Sequence, residues 1–200
     1  IIKSTGHHTI LKFNDKYYII YHRFNTLDRY PISQKLRQVV ADELKFNADG
    51  SIKRVVTTNR GIGALKDADS KITLAFNCKV TSSSALDSLV TAAKNAVDEN
   101  NATPWIGGNY VREWIMFDLG VVKAFNEIQI FPEFPIKSYQ YNIEISEDNK
   151  TWKLTDDQWE NKKIGSPLIT RSKFNVRYIR INMRNEKNNP RPGIWEVKVY

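Results

Sequence analysis

The feature that most constrains the fold is a strict alternation of apolar and polar residues near position 140. The run reads Tyr139-Gln140-Tyr141-Asn142-Ile143-Glu144-Ile145, which has the period of a β-strand with one buried face. Other short strand-like runs lie at 114–119, 126–132, 151–154, 174–183 and 194–200. Such regularly spaced strands predict an all-β chain whose second part is an antiparallel β-sandwich, or jelly roll. Apolar residues at helical spacing predict one or two helical turns within 84–97.

The first part of the chain is predicted to form two β-hairpins. β-prone runs at 8–13 and 16–22 flank Asn14-Asp15, which tolerate the positive φ of a tight turn, and runs at 37–46 and 52–56 flank a second turn. A four-stranded sheet of this size is marginally stable alone, so we expect it to pack on something else. The sequence therefore predicts a first unit at 1–63, a linker at 64–70 and a sandwich at 71–200.

Composition excludes several classes of protein. The net charge is +8, most of it in the first 65 residues, but these basic residues are scattered singly between apolar positions, so we expect no nucleic-acid partner. Cys78 is the single cysteine and cannot form an internal disulfide. No apolar run approaches the length of about 20 residues that spans a bilayer, so no membrane insertion is expected. The start at Ile1-Ile2-Lys3, without Met or a signal pattern, suggests a piece of a longer protein.

Five motifs in the second part carry a family resemblance. They lie, in order, at 95–105, 114–120, 146–152, 176–181 and 195–200, and include Trp114-Ile115-Met116-Phe117-Asp118-Leu119-Gly120. Together they resemble the signature of a factor V/VIII type C, or discoidin, domain, whose bacterial relatives include carbohydrate-binding module family 32. The resemblance implies a galactose-binding-like jelly roll whose partner is a plant-type or other glycan.

The same resemblance implies a structural Ca²⁺ ion that ties a loop to the last strand. Calcium takes six to eight hard oxygen ligands, which carboxylates, amides, hydroxyls and backbone carbonyls supply. Glu99 stands where the family usually has Gly, and the alternative is an Asx-type turn without metal. The implied ligands are the side chains of Asp98, Asn100, Thr103 and Glu196 and the carbonyls of Asn95 and Trp195.

Sugar recognition in related modules uses a planar aromatic ring and a few polar groups on loops at one end of the sandwich. Trp159 is the expected stacking residue, because the other four Trp lie at motif positions typical of the core. Many sugar-binding relatives have Arg after the residue matching Pro132, whereas this chain has Glu133. The carbohydrate-binding candidates are Asn109, Tyr110, Arg112, Glu133, Phe134 and Trp159.

The first part resembles the end of a family 43 glycoside hydrolase catalytic domain, at 6–10, 16–23, 37–46 and 49–52. That family is a five-bladed β-propeller of arabinofuranosidases, xylosidases and arabinanases. The resemblance implies a four-stranded blade fragment whose partners are missing N-terminal blades. His7 matches a family His that points into the propeller centre near a metal, although a packed structural role is equally open. The family takes its catalytic carboxylates from earlier blades, so we expect no catalytic residue here and no activity of this chain alone.

These resemblances predict a calcium-stabilised carbohydrate-binding module with a truncated catalytic blade. The parent would be a polysaccharide-degrading glycoside hydrolase of arabinofuranosidase or xylosidase type, acting on arabinose- or xylose-containing glycans. It would be secreted, periplasmic or on the cell surface of a bacterium. The alternative is a non-catalytic, adhesion-type discoidin domain that binds protein or cell-surface ligands with exposed apolar loop tips.

Overall fold

The computed structural model describes residues 7–24, 37–58, 61–62, 72–100, 103–109, 111–184 and 191–200 of the 200. Its regular structure there is almost entirely antiparallel β, which confirms the predicted all-β class. The described residues before 72, together with Asn100, form one compact unit, and the others form a second. The predicted linker at 64–70 lies outside the described residues. In the described part, no helix has the length and apolar character needed to cross a membrane.

The first unit contains a three-stranded antiparallel sheet in the order β1-β2-β3. Its strands are β1 (His8–Phe13), β2 (Lys16–Phe24) and β3 (Arg37–Leu44). Asn14 and Asp15 have φ values of 46° and 57°, as expected for the two-residue hairpin turn. The predicted fourth strand at 52–56 is wrong for the described residues, because only Ile52 pairs, through a single bridge to Phe46. Val56 is largely exposed, so no buried face extends this pairing into a strand.

A buried carboxylate organises the interior of the first unit. Asp42 on β3 accepts hydrogen bonds from the Tyr21 hydroxyl (2.8 Å) and from the Thr58 amide and hydroxyl (2.7 Å each). These contacts tie the segment after β3 back onto the sheet. Ile10, Leu11 and Val39 are exposed in the same sheet, so much of its apolar surface lies in contact with solvent.

The second unit is built on a single seven-stranded antiparallel sheet. The strand order is β5-β10-β6-β9-β7-β8, and β4 pairs with β6. The strands are β4 (Lys79–Ser82), β5 (Trp105–Ile106), β6 (Arg112–Pro132), β7 (Gln140–Ser146), β8 (Lys153–Gln158), β9 (Leu168–Arg184) and β10 (Gly193–Val199).

Two long strands run through both halves of this unit. The strands predicted separately at 114–119 and 126–132 are one strand, β6, because Gly120 (φ 85°) allows an irregularity within it. The first half of β6 pairs with β4 and the second half of β9, whereas its second half pairs with β10 and the first half of β9. The β6–β9 ladder is interrupted between Asp118 and Lys123. The antiparallel jelly-roll sandwich predicted from the sequence is therefore confirmed.

The prediction of one or two helical turns within 84–97 is confirmed at the C-terminal end of that range. Only Ala93–Val97 is helical, as a short 3₁₀ turn. Before it, the Asp87 carboxylate accepts hydrogen bonds from the amides of Leu89 (2.9 Å) and Val90 (3.2 Å), which holds the backbone in a turn. Leu89 is 90% exposed, so the apolar spacing that predicted a buried helix face does not reflect burial.

The core of the second unit comes from alternate residues of the long strands. Trp105 and Trp195 belong to the core, and Trp114 and Trp152 are half-buried. Cys78 is half-buried, and burial, followed by the Asp118 carboxylate, raises its thiol pKa to about 12. The largest buried aliphatic and aromatic side chains include Ile115, Phe117, Ile128, Ile130, Ile143, Ile179, Ile181, Met183 and Ile194.

Candidate functional site

The loop between β5 and β6 carries exposed polar side chains on a firmly held backbone. Asn109 and Arg112 are exposed, as expected for residues that contact a ligand. Glu113, at the start of β6, is buried and accepts hydrogen bonds from the Ser83 and Ser84 hydroxyls. It also accepts one from the Asn109 amide (2.5 Å). The buried carboxylate therefore fixes the backbone that presents Asn109.

Position 107 requires glycine because the Glu113 side chain packs directly against its backbone. A Cβ atom at position 107 would lie 2.4 Å from Cγ and 2.9 Å from Cδ of Glu113, inside van der Waals contact. The Gly107 amide donates to the Pro192 carbonyl (2.9 Å), and Arg191 donates to the carbonyls of Gly107 (3.3 Å) and Gly108 (3.2 Å). We call residues 83–84, 107–109, 111–112 and 191–193 the loop cluster. Tyr110 lies outside the described residues.

Two predicted sugar contacts lie in the interior instead. Glu133 is 1% exposed and Phe134 is 5% exposed, so neither presents a surface that a sugar could reach in this conformation. The Glu133 amide donates to the Gly193 carbonyl (3.0 Å), and the Trp195 indole donates to the Glu133 carbonyl (3.1 Å). The chain after β6 thus stays attached to β10, which draws both side chains inward. This burial corrects the prediction of Glu133 and Phe134 as carbohydrate-binding residues.

Trp159 lies just after β8 and is half-buried. The guanidinium of Arg184 stands over its ring, 5.2 Å from the ring centre, and donates to the Trp159 carbonyl (2.7 Å). Arg184 also pairs with Glu160 (2.9 Å). In the β6–β9 ladder Arg184 lies directly opposite Arg112, so the structure brings Trp159 to the same end of the sheet as the loop cluster.

Five of the six implied calcium ligands belong to the second unit. The Thr103 hydroxyl donates to Asp98 Oδ2 (2.7 Å), which brings two of the oxygens together. The Asn95 side chain donates to the carbonyls of Val90 (2.9 Å) and Pro104 (3.1 Å) and is buried. Asn100 groups with the first unit, where its side-chain oxygen accepts a hydrogen bond from Thr57 (2.9 Å). Trp195 and Glu196 are adjacent on β10.

Two carboxylates of the second unit are buried. Glu196 is fully buried and Glu99 nearly so, and burying a carboxylate is costly unless its charge is compensated. The pKa of the Tyr200 phenol is raised, first by burial and then by the charges of Glu99 and Glu196. Both carboxylates therefore act on the same phenol. Glu99 has φ 51°, the left-handed conformation in which the family's Gly is favoured. Within the described residues, no three His, Cys, Asp or Glu side chains form a metal cluster.

His7 is exposed in the first unit. Its ring stacks on His22, with centroids 5.9 Å apart and an interplanar angle of 26°. The metal-ligand role implied for His7 stays a prediction.

Sequence reasoning missed the anchors of the loop cluster, namely Glu113, Ser83, Ser84 and Arg191. A signal for Glu113 was present, because it lies two and four residues before Ile115 and Phe117 and therefore on the same buried face of β6. An acidic residue on a buried strand face must be hydrogen-bonded, so this parity marks Glu113 as an internal anchor. The serines and Arg191 have no such signal, because their loops meet only in the folded chain.

The second unit has the jelly-roll fold of carbohydrate-binding modules, with a polar loop cluster at one end. The family model "F5/8 type C domain" matches residues 79–197, and the chain belongs to this family. No curated protein matches the chain.

Solved structures extend the likeness. A protein described as "Glycoside hydrolase" is 29% identical, with a TM-score of 0.65; the match covers 100% of this chain and 47% of the hydrolase. The module CpGH89CBM32-6 from Clostridium perfringens is 27% identical, with a TM-score of 0.55, covering 64% of this chain and 98% of the module. A mutant of chitosan-binding module 1, from a chitosanase/glucanase of Paenibacillus sp. IK-5, is 25% identical, with a TM-score of 0.56, covering 64% of this chain and 97% of the module. This chain therefore spans about half of the hydrolase it resembles.

Proposed function

We propose that this chain is the glycan-binding part of a glycoside hydrolase and that the loop cluster holds the sugar. The observation that carries the proposal is the similarity of the whole chain, at 29% identity, to a glycoside hydrolase of about twice its length. Two of the similar modules are named for a hydrolase or as a chitosan binder, which supports a glycan as the ligand class.

The chemistry of the loop cluster suits sugar recognition. Asn109 offers an amide and Arg112 a guanidinium, the groups that read sugar hydroxyls, and Trp159 supplies an aromatic ring at the same end of the sheet. Because Glu113 already fixes the Asn109 backbone, little ordering remains to oppose binding.

The first unit, in this proposal, belongs to the catalytic domain of the parent enzyme. We propose a family 43-type propeller that acts on arabinose- or xylose-containing glycans, with its catalytic carboxylates in the rest of that domain. Ile10, Leu11 and Val39 would then be covered by neighbouring blades. The parent would act outside the cytoplasm, as polymeric substrates require. Assay of this chain on nitrophenyl arabinoside and xyloside tests the assignment, since turnover would place catalytic residues here.

Calcium is proposed as a structural ion of the second unit. Asp98, Thr103 and Glu196 would supply side-chain oxygens, and Asn95 and Trp195 backbone carbonyls. The ion would tie the loop before β5 to β10. Support comes from the Asp98–Thr103 contact and the complete burial of Glu196.

Affinity electrophoresis in gels containing arabinan, xylan, galactan or chitosan tests the glycan proposal. The chain should be retarded by at least one polymer, and Asn109→Ala and Arg112→Ala should each reduce the retardation. Asn175→Ala, an exposed amide on the other half of β9, is the matched control and should behave as the unmodified chain. Unchanged mobility in every gel would exclude a glycan-binding role for these polymers.

One observation favours the adhesion alternative. Val111 in the loop cluster is 63% exposed and Leu89 in the turn before Ala93 is 90% exposed, and exposed apolar side chains on loops suit a protein or cell-surface ligand. Binding to cells before and after enzymatic removal of surface glycans distinguishes the two. Binding that survives deglycosylation and is lost in Leu89→Ser would favour adhesion, and binding lost on deglycosylation would favour the glycan.

A further inference from the structure

A second surface with sugar-binding chemistry lies away from the loops, on the outer face of the sheet half formed by β4, β6, β9, β7 and β8. The inward residues of these strands, such as Ile115, Ile181 and Ile143, are fully buried. Their neighbours along each strand point to the opposite face, because strand side chains alternate. We call this half-exposed set the outer sheet face; it includes Trp114, Met116, Arg180, Asn182, Asn142 and Glu144.

Strand register aligns these side chains in rows that cross the sheet. Trp114 lies opposite Asn182, which lies opposite Asn142, which lies opposite Asp157 on β8. Four neighbouring strands place this row over about 14 Å, a distance longer than one sugar ring. The row begins with an indole and continues with two amides, the groups that stack on a sugar ring and read its hydroxyls.

The polar groups of the outer sheet face are held in place before any ligand arrives. Asn182 Nδ2 donates to Asn142 Oδ1 (2.7 Å) and to Glu144 Oε2 (2.7 Å). Arg180 donates to the same Glu144 oxygen (2.9 Å), and its guanidinium stands 4.0 Å from the centre of the Trp152 ring. A connected, satisfied network of this kind loses little side-chain freedom on binding.

Charge on this face favours a neutral ligand. Arg180 is paired with Glu144, and Arg184, at its edge, is paired with Glu160. Because these guanidinium charges are already compensated, the face offers no strong attraction to a polyanion such as nucleic acid. Two amides, an indole and the exposed Asp157 carboxylate, which repels a polyanion, remain as the recognition groups.

We propose that the outer sheet face is a second glycan-binding surface, which takes an extended segment of a neutral polysaccharide across the strands. The inference rests on the proposed glycan-binding function. It adds a second surface, specific for polymers, to the sugar site proposed in the loop cluster. Short oligosaccharides would bind the loop cluster alone, whereas a polymer would contact both.

Chemical-shift mapping of the unmodified chain tests this directly. Titration with arabinan, xylan or galactan should shift the side-chain amide signals of Asn142 and Asn182 and the indole signal of Trp114. A disaccharide of the same sugar should shift only loop-cluster signals. If the polymer shifts the loop cluster but leaves the outer sheet face unchanged, the second surface is refuted and the proposed function stands. If no glycan shifts either surface, both proposals fail.

Variants of the outer sheet face give an independent measure of its contribution to polymer binding. Asn142→Ala and Asn182→Ala should each weaken polymer retardation about fivefold, the loss expected for one hydrogen bond, with disaccharide affinity unchanged. Asn175→Ala, on the same strand as Asn182, is the control for surface amide loss, and thermal melting checks folding. Sedimentation velocity tests whether a second copy of this chain, rather than a glycan, occupies the outer sheet face. A dimer of this chain that Asn182→Ala dissolves would overturn the inference, because a second copy would then occupy the face.

Discussion

The close contact between Gly107 and Glu113 predicts a large and specific effect of adding one methyl group. In Gly107→Ala the new Cβ would lie 2.4 Å from Glu113 Cγ, and Glu113 cannot move outward without breaking its bonds to Ser83, Ser84 and Asn109. Overpacking a buried site of this kind costs about 1–3 kcal/mol. For a unit of this size that corresponds to roughly 4–12 °C in Tm.

Urea denaturation of the chain measures the free energy of unfolding, and a double-mutant cycle isolates the cause. Gly107→Ala should cost about 1–3 kcal/mol in the natural background, but less than about 0.5 kcal/mol in the Glu113→Ala background, where the clashing atoms are gone. Gly108→Ala is the matched control. Its Cβ would come no closer than 3.0 Å, to Ser84 Oγ, and should have a smaller effect. Additive effects of Gly107→Ala and Glu113→Ala would refute the packing argument.

Three further outcomes are expected. The backbone amides of Thr151 and Lys150 lower the pKa of Asp148 to about 2, so its stabilising contribution is present above pH 4 and lost as the pH falls through 2. The Tm difference between the natural chain and Asp148→Asn should therefore be largest near neutral pH and vanish near pH 2. Because the Cys78 pKa is raised to about 12, a maleimide should label the folded chain slowly at pH 8 and quickly in denaturant; equal rates would contradict this. Chelation should lower the Tm of the natural chain but not that of Glu196→Gln, and a Tm insensitive to chelator in both would exclude structural calcium.

The sandwich was predictable because its strands carry a clear two-residue period. The alternation at Gln140–Ser146 identified β7 to within a residue, since every second side chain faces a continuous core. The break inside β6 was not predictable, because Gly120 followed by exposed residues is as typical of a turn as of an irregularity within a long strand. The helical turn within 84–97 was predictable as to region but not as to its start at Ala93, since Asp87 supplies a local hydrogen-bonding alternative that apolar spacing does not reveal.

The candidate site was predictable only in part. Asn109 on the loop before β6 and Arg112 at the first residue of β6 are exposed, as expected from the resemblance to sugar-binding modules. Glu133 follows a strand end and is predicted as a carbohydrate-binding residue, yet the hydrogen bonds between 133 and β10 keep it buried. The outer sheet face was not identified either, because Trp114, Asn182 and Asn142 are far apart in sequence and become neighbours only through strand register.

The placement of Glu113 separates the residues that hold the loop cluster from those that would contact a ligand. Glu113 directs its carboxylate at the loop's own hydroxyls and amide, whereas Asn109 and Arg112 are exposed to solvent. The Asn109 side-chain oxygen accepts a hydrogen bond from the Val111 amide (2.8 Å), so its amide nitrogen is the group offered to a ligand. A change at 109 or 112 should therefore alter which glycan is preferred, since it changes the groups that read hydroxyls. Glu113→Gln should instead weaken every glycan by a similar factor, because it loosens the backbone that all of them share. The ratio of affinities across a panel of sugars distinguishes the two effects, and a selectivity change in Glu113→Gln would mean that the buried carboxylate itself takes part in recognition.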